Sequence, residues 1–229
     1  MFKLINLEMR KINYGRYAIG ALVACFVLTG LLFFSLYADR DTFTSTSSDF
    51  FFVVDSTRMI FIVFAGVLIS RLIIEEYNDK TISLMFTYPI SRKKIIISKL
   101  LIIICSTFFF IHVSRILVAA VLYMLNSHLS FIDGGITVHM IIEYLINTII
   151  YDLSFSGISL VPLFFGMLKK SVRTTIITSI IIAVFFGISN EELSALSIGA
   201  FIIRSLPFII IGVVVSYLSI RNIECKDVF

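Results

Sequence analysis

Residues 50–74 read FFFVVDSTRMIFIVFAGVLISRLII, and residues 75–94 continue as EEYNDKTISLMFTYPISRKK. The first stretch is long and apolar enough to cross a bilayer, which requires about 20 mostly apolar residues in a helix. The second stretch is dense in charge, and its helical pattern stops at Pro89. A membrane span that runs directly into a polar, helix-forming loop predicts an integral membrane protein with a surface outside the bilayer.

The composition of the whole chain points the same way. Hydrophobic residues make up 59% of the 229 residues, charged residues make up only 15%, and the mean hydropathy is +1.02. Soluble domains are about half apolar and about a quarter charged, so we expect a polytopic all-α membrane protein. Cys25, Cys105 and Cys225 are far apart and lack metal-ligand spacing, which predicts isolated thiols rather than a disulfide framework.

The apolar runs predict a single transmembrane domain over residues 1–229, with six membrane-spanning helices. The spans are expected at residues 17–37, 50–74, 95–125, 138–168, 174–188 and 196–220. The first run is longer than the apolar stretch of a cleaved signal, about 7–15 residues, and is therefore expected to be retained. The fifth is short and could form, with the sixth, a hairpin that does not fully cross. Residues 1–15 predict an amphipathic helix on the membrane surface, with a plain cytosolic segment as the alternative.

The distribution of lysine and arginine orients these spans. With the N-terminus inside, 15 of the 19 basic residues fall on the cytoplasmic side. They are Lys3, Arg10, Lys11, Arg16, Arg71, Lys80, Arg92, Lys93, Lys94, Lys99, Lys169, Lys170, Arg173, Arg221 and Lys226. Arg40 and Arg58 fall outside, and the even number of spans returns the C-terminus to the cytoplasm. Basic residues placed in this way face anionic lipid, so nucleic-acid binding is not expected.

Residues 75–94 form the largest predicted cytoplasmic loop, between spans two and three. Their helical period puts polar residues on one stripe and apolar residues on another. The polar stripe holds Glu76, Asp79, Lys80, Ser83 and Thr87. The apolar stripe holds Ile82, Met85 and Phe86, and Leu84 and Tyr88 widen it. Such a helix is either a docking surface for a cytoplasmic partner or an interfacial helix that only anchors the loop.

The same loop resembles that of a known family. Glu75-Glu76-Tyr77, Thr81, Leu84, Pro89-Ile90-Ser91-Arg92 and Lys99 are similar to the cytoplasmic loop of second-class (type-2) ABC exporter permeases, the group of bacitracin-resistance, lantibiotic-immunity and amphipathic-peptide exporters. The resemblance implies that residues 75–88 form a coupling helix that sits in a cleft of the ATPase. The coupling residues it implies are Glu75, Glu76, Asp79, Lys80, Thr81, Leu84, Met85, Pro89, Ser91 and Arg92. Lys80 departs from the family, which usually has glycine there.

The resemblance further implies the permease subunit of an ATP-driven exporter in a bacterial plasma membrane. Its implied partners are a separate cytoplasmic ATPase, which binds ATP and Mg, and a second permease that is either a copy or a paralogue. The implied cargo is an amphipathic peptide or a hydrophobic antimicrobial. The residues agree on one point, because no G-x-x-x-x-G-K-[ST] phosphate-binding loop occurs in the sequence. We therefore expect no catalytic residue and no resident cofactor in this chain.

Asp55, Arg58, Arg71 and Lys99 are assigned to the ends of their spans, and the other charged residues within the predicted spans are Arg115, Glu143, Asp152 and Arg204. Charges inside a membrane are costly and need a partner, so we predict that Arg115 pairs with Glu143. Asp152 and Arg204 form the second predicted pair. These pairs either stabilise the fold or line the transport pathway. No metal site is predicted, because His139 and Glu143, four residues apart on one helical face, are a weak signal without further ligands.

Two other functions are open at this point. One is a secondary transporter driven by an ion gradient, which predicts inverted repeats and an ion site built from broken helices near the membrane midplane. The other is a non-transporting sensor or assembly component whose loop helix recruits a soluble partner. Dependence on ATP hydrolysis by a separable subunit distinguishes the exporter from both.

Overall fold

The computed structural model describes residues 14–38, 47–78, 92–129 and 136–187, together with residues 206–212, 214–215 and 217–218. Every regular element in these ranges is helical, which confirms the predicted all-α class. The helices are α1 Tyr14–Ala38, α2 Ser47–Ile69, α3 Glu75–Asn78, α4 Arg92–Leu129, α5 Val138–Ile158, α6 Val161–Lys169 and α7 Val172–Gly187, with a π-helical turn at Ser70–Ile74 that joins α2 to α3.

Within the described ranges, four stretches are long and apolar enough to cross a membrane. They are Gly15–Ser35, Asp49–Tyr77, Lys94–His128 and Val138–Lys169. Helix α7 is apolar and has 16 residues within the described part of the chain, and the short fifth span expected at residues 174–188 stays a prediction. The count of six spans stays a prediction, because most of residues 188–220 lies outside the described part of the chain. The surface helix expected at residues 1–15 and most of the loop at residues 75–94 also lie outside it.

Helix α2 lies at the centre of the bundle. In the most apolar window of its span 72% of the residues are buried, compared with 22% for α1. It packs against α1, α4 and α7. The approach of α7 is close, because a Cβ added at Gly66 of α2 would collide with the side chain of Ser179. Small residues at such crossings let helices in a membrane come together without a large side chain between them.

Helix α1 presents an apolar stripe on the outside of the bundle. The exposed side chains on this stripe are Ile19, Val23, Val27, Leu31 and Phe34. They are spaced three or four residues apart and therefore share one helical face. A continuous apolar face of this kind is unusual on a soluble monomer. On a membrane-length helix it is the surface expected to meet lipid or another membrane helix.

The fourth candidate span is broken into two helices. Helix α5 ends and α6 begins on either side of a turn at residues 159–160. Pro162, in the first turn of α6, has no backbone N–H and cannot extend the hydrogen-bond ladder of α5. At the other end of α6, Lys170 adopts a left-handed conformation with φ 45°. This terminates the helix and turns the chain into α7.

Candidate coupling site and intramembrane charge network

The positions of the charged residues are described relative to the two ends of the helical bundle. Helix α3 ends at Asn78 and α4 begins at Arg92, and this side of the bundle is called the loop end. The side where α2 begins at Ser47 and α4 ends at Leu129 is called the far end. Both helices that flank the predicted coupling loop carry charged residues close to the loop end.

A buried ion pair joins α3 to α4 at the loop end. Lys99 Nζ donates hydrogen bonds to Glu76 Oε2 and, at 2.9 Å, to the carbonyl oxygen of Leu72. Lys99 is 2% exposed and Glu76 is 7% exposed. Leu72 lies in the π-helical turn, a rare kind of turn that is frequent at functional sites. One ammonium group therefore holds α4 against both the turn and α3.

The neighbouring pair of Arg71 and Glu75 has a different character. Arg71 Nη1 lies 2.6 Å from Glu75 Oε1, four residues along the same continuous helical stretch, and the side chains are 51% and 31% exposed. Exposed pairs at this spacing contribute about 0.3–0.5 kcal/mol. Of the two adjacent glutamates, Glu76 is therefore the one that ties separate helices together.

A second charged cluster lies between α2, α4 and α5, towards the far end. Arg115 Nη2 of α4 lies 2.8 Å from Asp152 Oδ1 of α5 and 3.2 Å from Asp55 Oδ1 of α2. All three residues are buried. At these distances the contact of the guanidinium group with the two carboxylates is one of charge attraction. Removing one partner of such a pair leaves an uncompensated buried charge.

Polar and aromatic groups surround this cluster. The hydroxyl of Tyr144 donates a hydrogen bond to Asp55 Oδ1. On the other side, His112 Nδ1 lies 3.3 Å from Asp152 Oδ2. The resulting charge network consists of Asp55, Arg58, His112, Arg115, Tyr144 and Asp152. It joins the three helices α2, α4 and α5 at one level of the bundle.

Arg58 completes the network from the interior of α2. Its Nε donates to the carbonyl oxygen of Asp55 at 3.1 Å, and its Nη2 lies 3.8 Å from the Asp55 carboxylate. The guanidinium group lies over the rings of Tyr151 and Phe155, 5.0 and 4.7 Å from their centroids. Cation–π contacts gain strength when the cation is desolvated. Two guanidinium groups thus face two carboxylates, which offsets the cost of placing charge in an apolar bundle.

The predicted coupling residues are only partly within the described chain. Glu75 and Glu76 lie in α3, and Arg92 begins α4. Those outside the described residues are Asp79, Lys80, Thr81, Leu84, Met85, Pro89 and Ser91. Their role in coupling stays a prediction.

Of the four predicted intramembrane charges, the structure brings Arg115 and Asp152 together. Arg115 pairs with Asp152 rather than with Glu143, which corrects the predicted pairing. Nine residues separate Glu143 from Asp152, and at about 3.6 residues per turn they point to opposite faces of α5. The Glu143 side chain is 66% exposed and lies 3.9 Å from His139. Arg204 is outside the described residues, so its pairing with Asp152 stays a prediction.

Sequence reasoning missed Asp55 and Arg58 as members of the network. The sequence predicts Arg58 on the outer side of the membrane, whereas the structure buries it completely. Lys99 is likewise expected in the basic rim and is buried against Glu76. A signal was present for the first pair, because an acid and a base three residues apart inside an apolar run are typical of paired intramembrane charges.

An all-helical bundle with membrane-length apolar spans and internally paired charges defines a multi-pass membrane protein. A family model described as "ABC-2 family transporter protein" matches residues 4–190. The chain therefore belongs to the ABC-2 transporter family and is the membrane permease subunit of an ABC transporter. A relative from Bacillus subtilis (strain 168), named "Uncharacterized protein YcbO", is 38% identical over 228 residues, which are 98% of this chain and 99% of the relative. No solved structure matches the chain.

Family membership confirms the resemblance to second-class ABC permeases. The family consists of transmembrane subunits that do not carry an ATPase of their own. Membership therefore implies an ATPase partner subunit as well as the bilayer.

Proposed function

We propose that this chain is the permease of an ATP-driven exporter that moves an amphipathic peptide or a hydrophobic antimicrobial out of the cell or the membrane. The family supplies the permease role, and the resemblance of the loop supplies the cargo and the direction. The observation that carries the proposal is the buried Lys99–Glu76 pair. The pair connects the two helices that flank the loop. Such a connection is needed if a force applied to the loop is to move both helices together.

In the proposed mechanism the loop end faces the cytoplasm, as the distribution of basic residues predicts. Two ATPase subunits bind ATP and Mg, close on each other, and push the loop at residues 79–91 in each of two permeases. The second permease is a copy of this chain or a paralogue. The helices then move as rigid bodies. The charge network joins three helices towards the far end, which supports a role in holding the outer side closed.

Cargo and direction are tested by producing the chain together with its ATPase in a sensitive bacterium. We expect the inhibitory concentration of bacitracin or of a lantibiotic peptide to rise. The double substitution Leu84→Glu and Met85→Glu puts charge on the apolar docking stripe and is expected to abolish this protection at an equal amount of protein in the membrane. Ser127→Glu is the matched control, because Ser127 is exposed at the far end of α4. Unchanged sensitivity with the intact complex would contradict the proposed cargo.

The competing ion-driven mechanism is separated by inactivating the motor. Substitution of the catalytic glutamate of the ATPase is expected to abolish protection, while an ionophore that collapses ion gradients is expected to leave it in place over the first minutes. Protection that survives the inactive ATPase and disappears with the ionophore would establish a secondary transporter instead.

A further inference from the structure

We infer that Lys99 is the positioning residue through which movement of the coupling loop reaches the far end of the bundle. The inference rests on the proposed ATP-driven permease. Lys99 lies seven residues after Arg92, which is about 10 Å or two turns into α4. Its partner Glu76 lies two residues before Asn78, where α3 ends. A displacement applied between Asn78 and Arg92 therefore reaches the Lys99–Glu76 pair within about two turns of α4, next to the buried side chains of Ile95 and Ile96.

The pair is suited to transmit this displacement rather than absorb it. Both residues are buried, so solvent screens the attraction between their charges far less than it screens an exposed pair. Lys99 also holds the carbonyl oxygen of Leu72 at 2.9 Å. A π-helical turn interrupts the regular hydrogen-bond pattern of an α-helix, so a helix under force is expected to bend there. The hydrogen bond from Lys99 to Leu72 restrains the turn against such bending.

The same two helical stretches are joined at two further levels. Phe110 of α4 packs against Phe61 and Phe64 of α2, with ring centroids 6.3 and 5.6 Å apart. Closer to the far end, Arg115 of α4 pairs with Asp55 of α2. At both charged levels the base lies on α4 and the acid lies on the α2–α3 side. The pair of helices thus forms a strut that carries movement from the loop end to α5.

The test uses the whole transporter, purified with its ATPase from its native membranes. Lys99→Met removes the ammonium group and keeps an unbranched apolar side chain. Arg71→Met is the matched control, because Arg71 is a basic residue near the same end whose partner lies in its own helical stretch. A spin label is attached through Ser127→Cys at the exposed far end of α4, after Cys25, Cys105 and Cys225 have been replaced by serine. Its distance to a label at the equivalent position of the second permease is measured by pulsed electron paramagnetic resonance, with and without ATP and vanadate.

In the parent protein, ATP and vanadate are expected to change the distance between the two labels. In Lys99→Met we expect the ATPase subunits to stay bound and to hydrolyse ATP, while the change in distance is lost. Arg71→Met is expected to keep both hydrolysis and the distance change. A Lys99→Met transporter whose far end moves as in the parent would overturn the inference.

Loss of folding is separated from loss of transmission by two milder variants. If Lys99→Met does not assemble, Glu76→Gln and Lys99→Arg decide the question. The amide of Glu76→Gln still accepts a hydrogen bond but carries no charge, so we expect assembly with a reduced distance change, and Lys99→Arg is expected to retain it. Parental movement in Glu76→Gln would overturn the inference. If no ATPase accompanies the parent protein, the proposed function falls and this inference falls with it, a result distinct from a bound, active ATPase whose movement ignores Lys99.

Discussion

Arg115 and Asp152 form a buried ion pair between α4 and α5, with Nη2 2.8 Å from Oδ1 and neither side chain accessible to solvent. Asp55 approaches the same guanidinium group from α2 at 3.2 Å. Three helices of a membrane bundle therefore share one set of balanced charges. Because a buried charge depends on its partner far more than an exposed one does, a change in helix packing at this level has a large electrostatic cost.

Removal of one charge from this pair is expected to destabilise the protein strongly. Asp152→Asn leaves the network with an excess positive charge, and we expect the free energy of unfolding to fall by about 3–5 kcal/mol. Arg115→Met combined with Asp152→Asn removes one charge of each sign and should recover part of this loss. Unfolding by a denaturing detergent, followed by circular dichroism of the purified protein, measures all three.

Glu143→Gln on the same helix provides the control for that measurement. The Glu143 side chain is largely exposed, and its substitution is expected to change the free energy of unfolding by no more than about 0.5 kcal/mol. Equal losses for Asp152→Asn and Glu143→Gln would show that the Arg115–Asp152 pair is not the buried contact described above.

Tyr144→Phe tests the hydrogen bond that Tyr144 donates to Asp55. The substitution keeps the ring, whose centroid lies 4.4 Å from that of Phe51, and removes only the hydroxyl. A hydrogen bond to a charged group contributes about 1.5–3 kcal/mol, and we expect a loss of that size in the same unfolding experiment. Tyr123→Phe is the control, eight residues and about 12 Å beyond Arg115 along α4. A loss no greater than that of the control would contradict a bond between Tyr144 and Asp55.

Gly66→Ala tests the close crossing of α2 and α7. The added Cβ would collide with the side chain of Ser179, and forced repacking of this kind costs about 1–3 kcal/mol. Gly20→Ala is the matched control, because a Cβ at Gly20 meets nothing within 4 Å and alanine favours a helix by about 0.5–1 kcal/mol over glycine. Ser179→Gly should relieve the collision and rescue Gly66→Ala. Equal stability of the two alanine variants would contradict the crossing.

The features that follow from local sequence were predictable. The length of an apolar run can be read directly from the sequence, so residues 50–74 already indicate a membrane-spanning helix. Arg115 and Asp152 can be recognised as energetically costly charges because each lies within such a run. The charged loop after residue 74 could also be identified from local sequence. Its resemblance to known permeases depends on residues that are close together in the chain.

The partners of those charges could not be predicted, because they depend on how separate helices rotate against each other. Asp55 is 60 positions from Arg115 in the sequence, and no periodicity within α2 or α4 fixes their relative rotation. Because Asp55 and Arg58 lie near the start of their span, the sequence predicts that their charges mark the outer boundary of the membrane. The π-helical turn at Ser70–Ile74 could not be predicted either, because five residues are too few for a change in residues per turn to alter the apolar pattern visibly.

The central claim is that this permease works with a separate ATPase that grips the loop between α3 and α4. The most direct test is purification of the chain from its native cells in a gentle detergent, with mass spectrometry of the proteins that accompany it. We predict a near-stoichiometric ATPase subunit that is lost when Leu84 and Met85 are both replaced by glutamate and retained in Ser127→Glu. Absence of any nucleotide-binding chain in several detergents would contradict the claim.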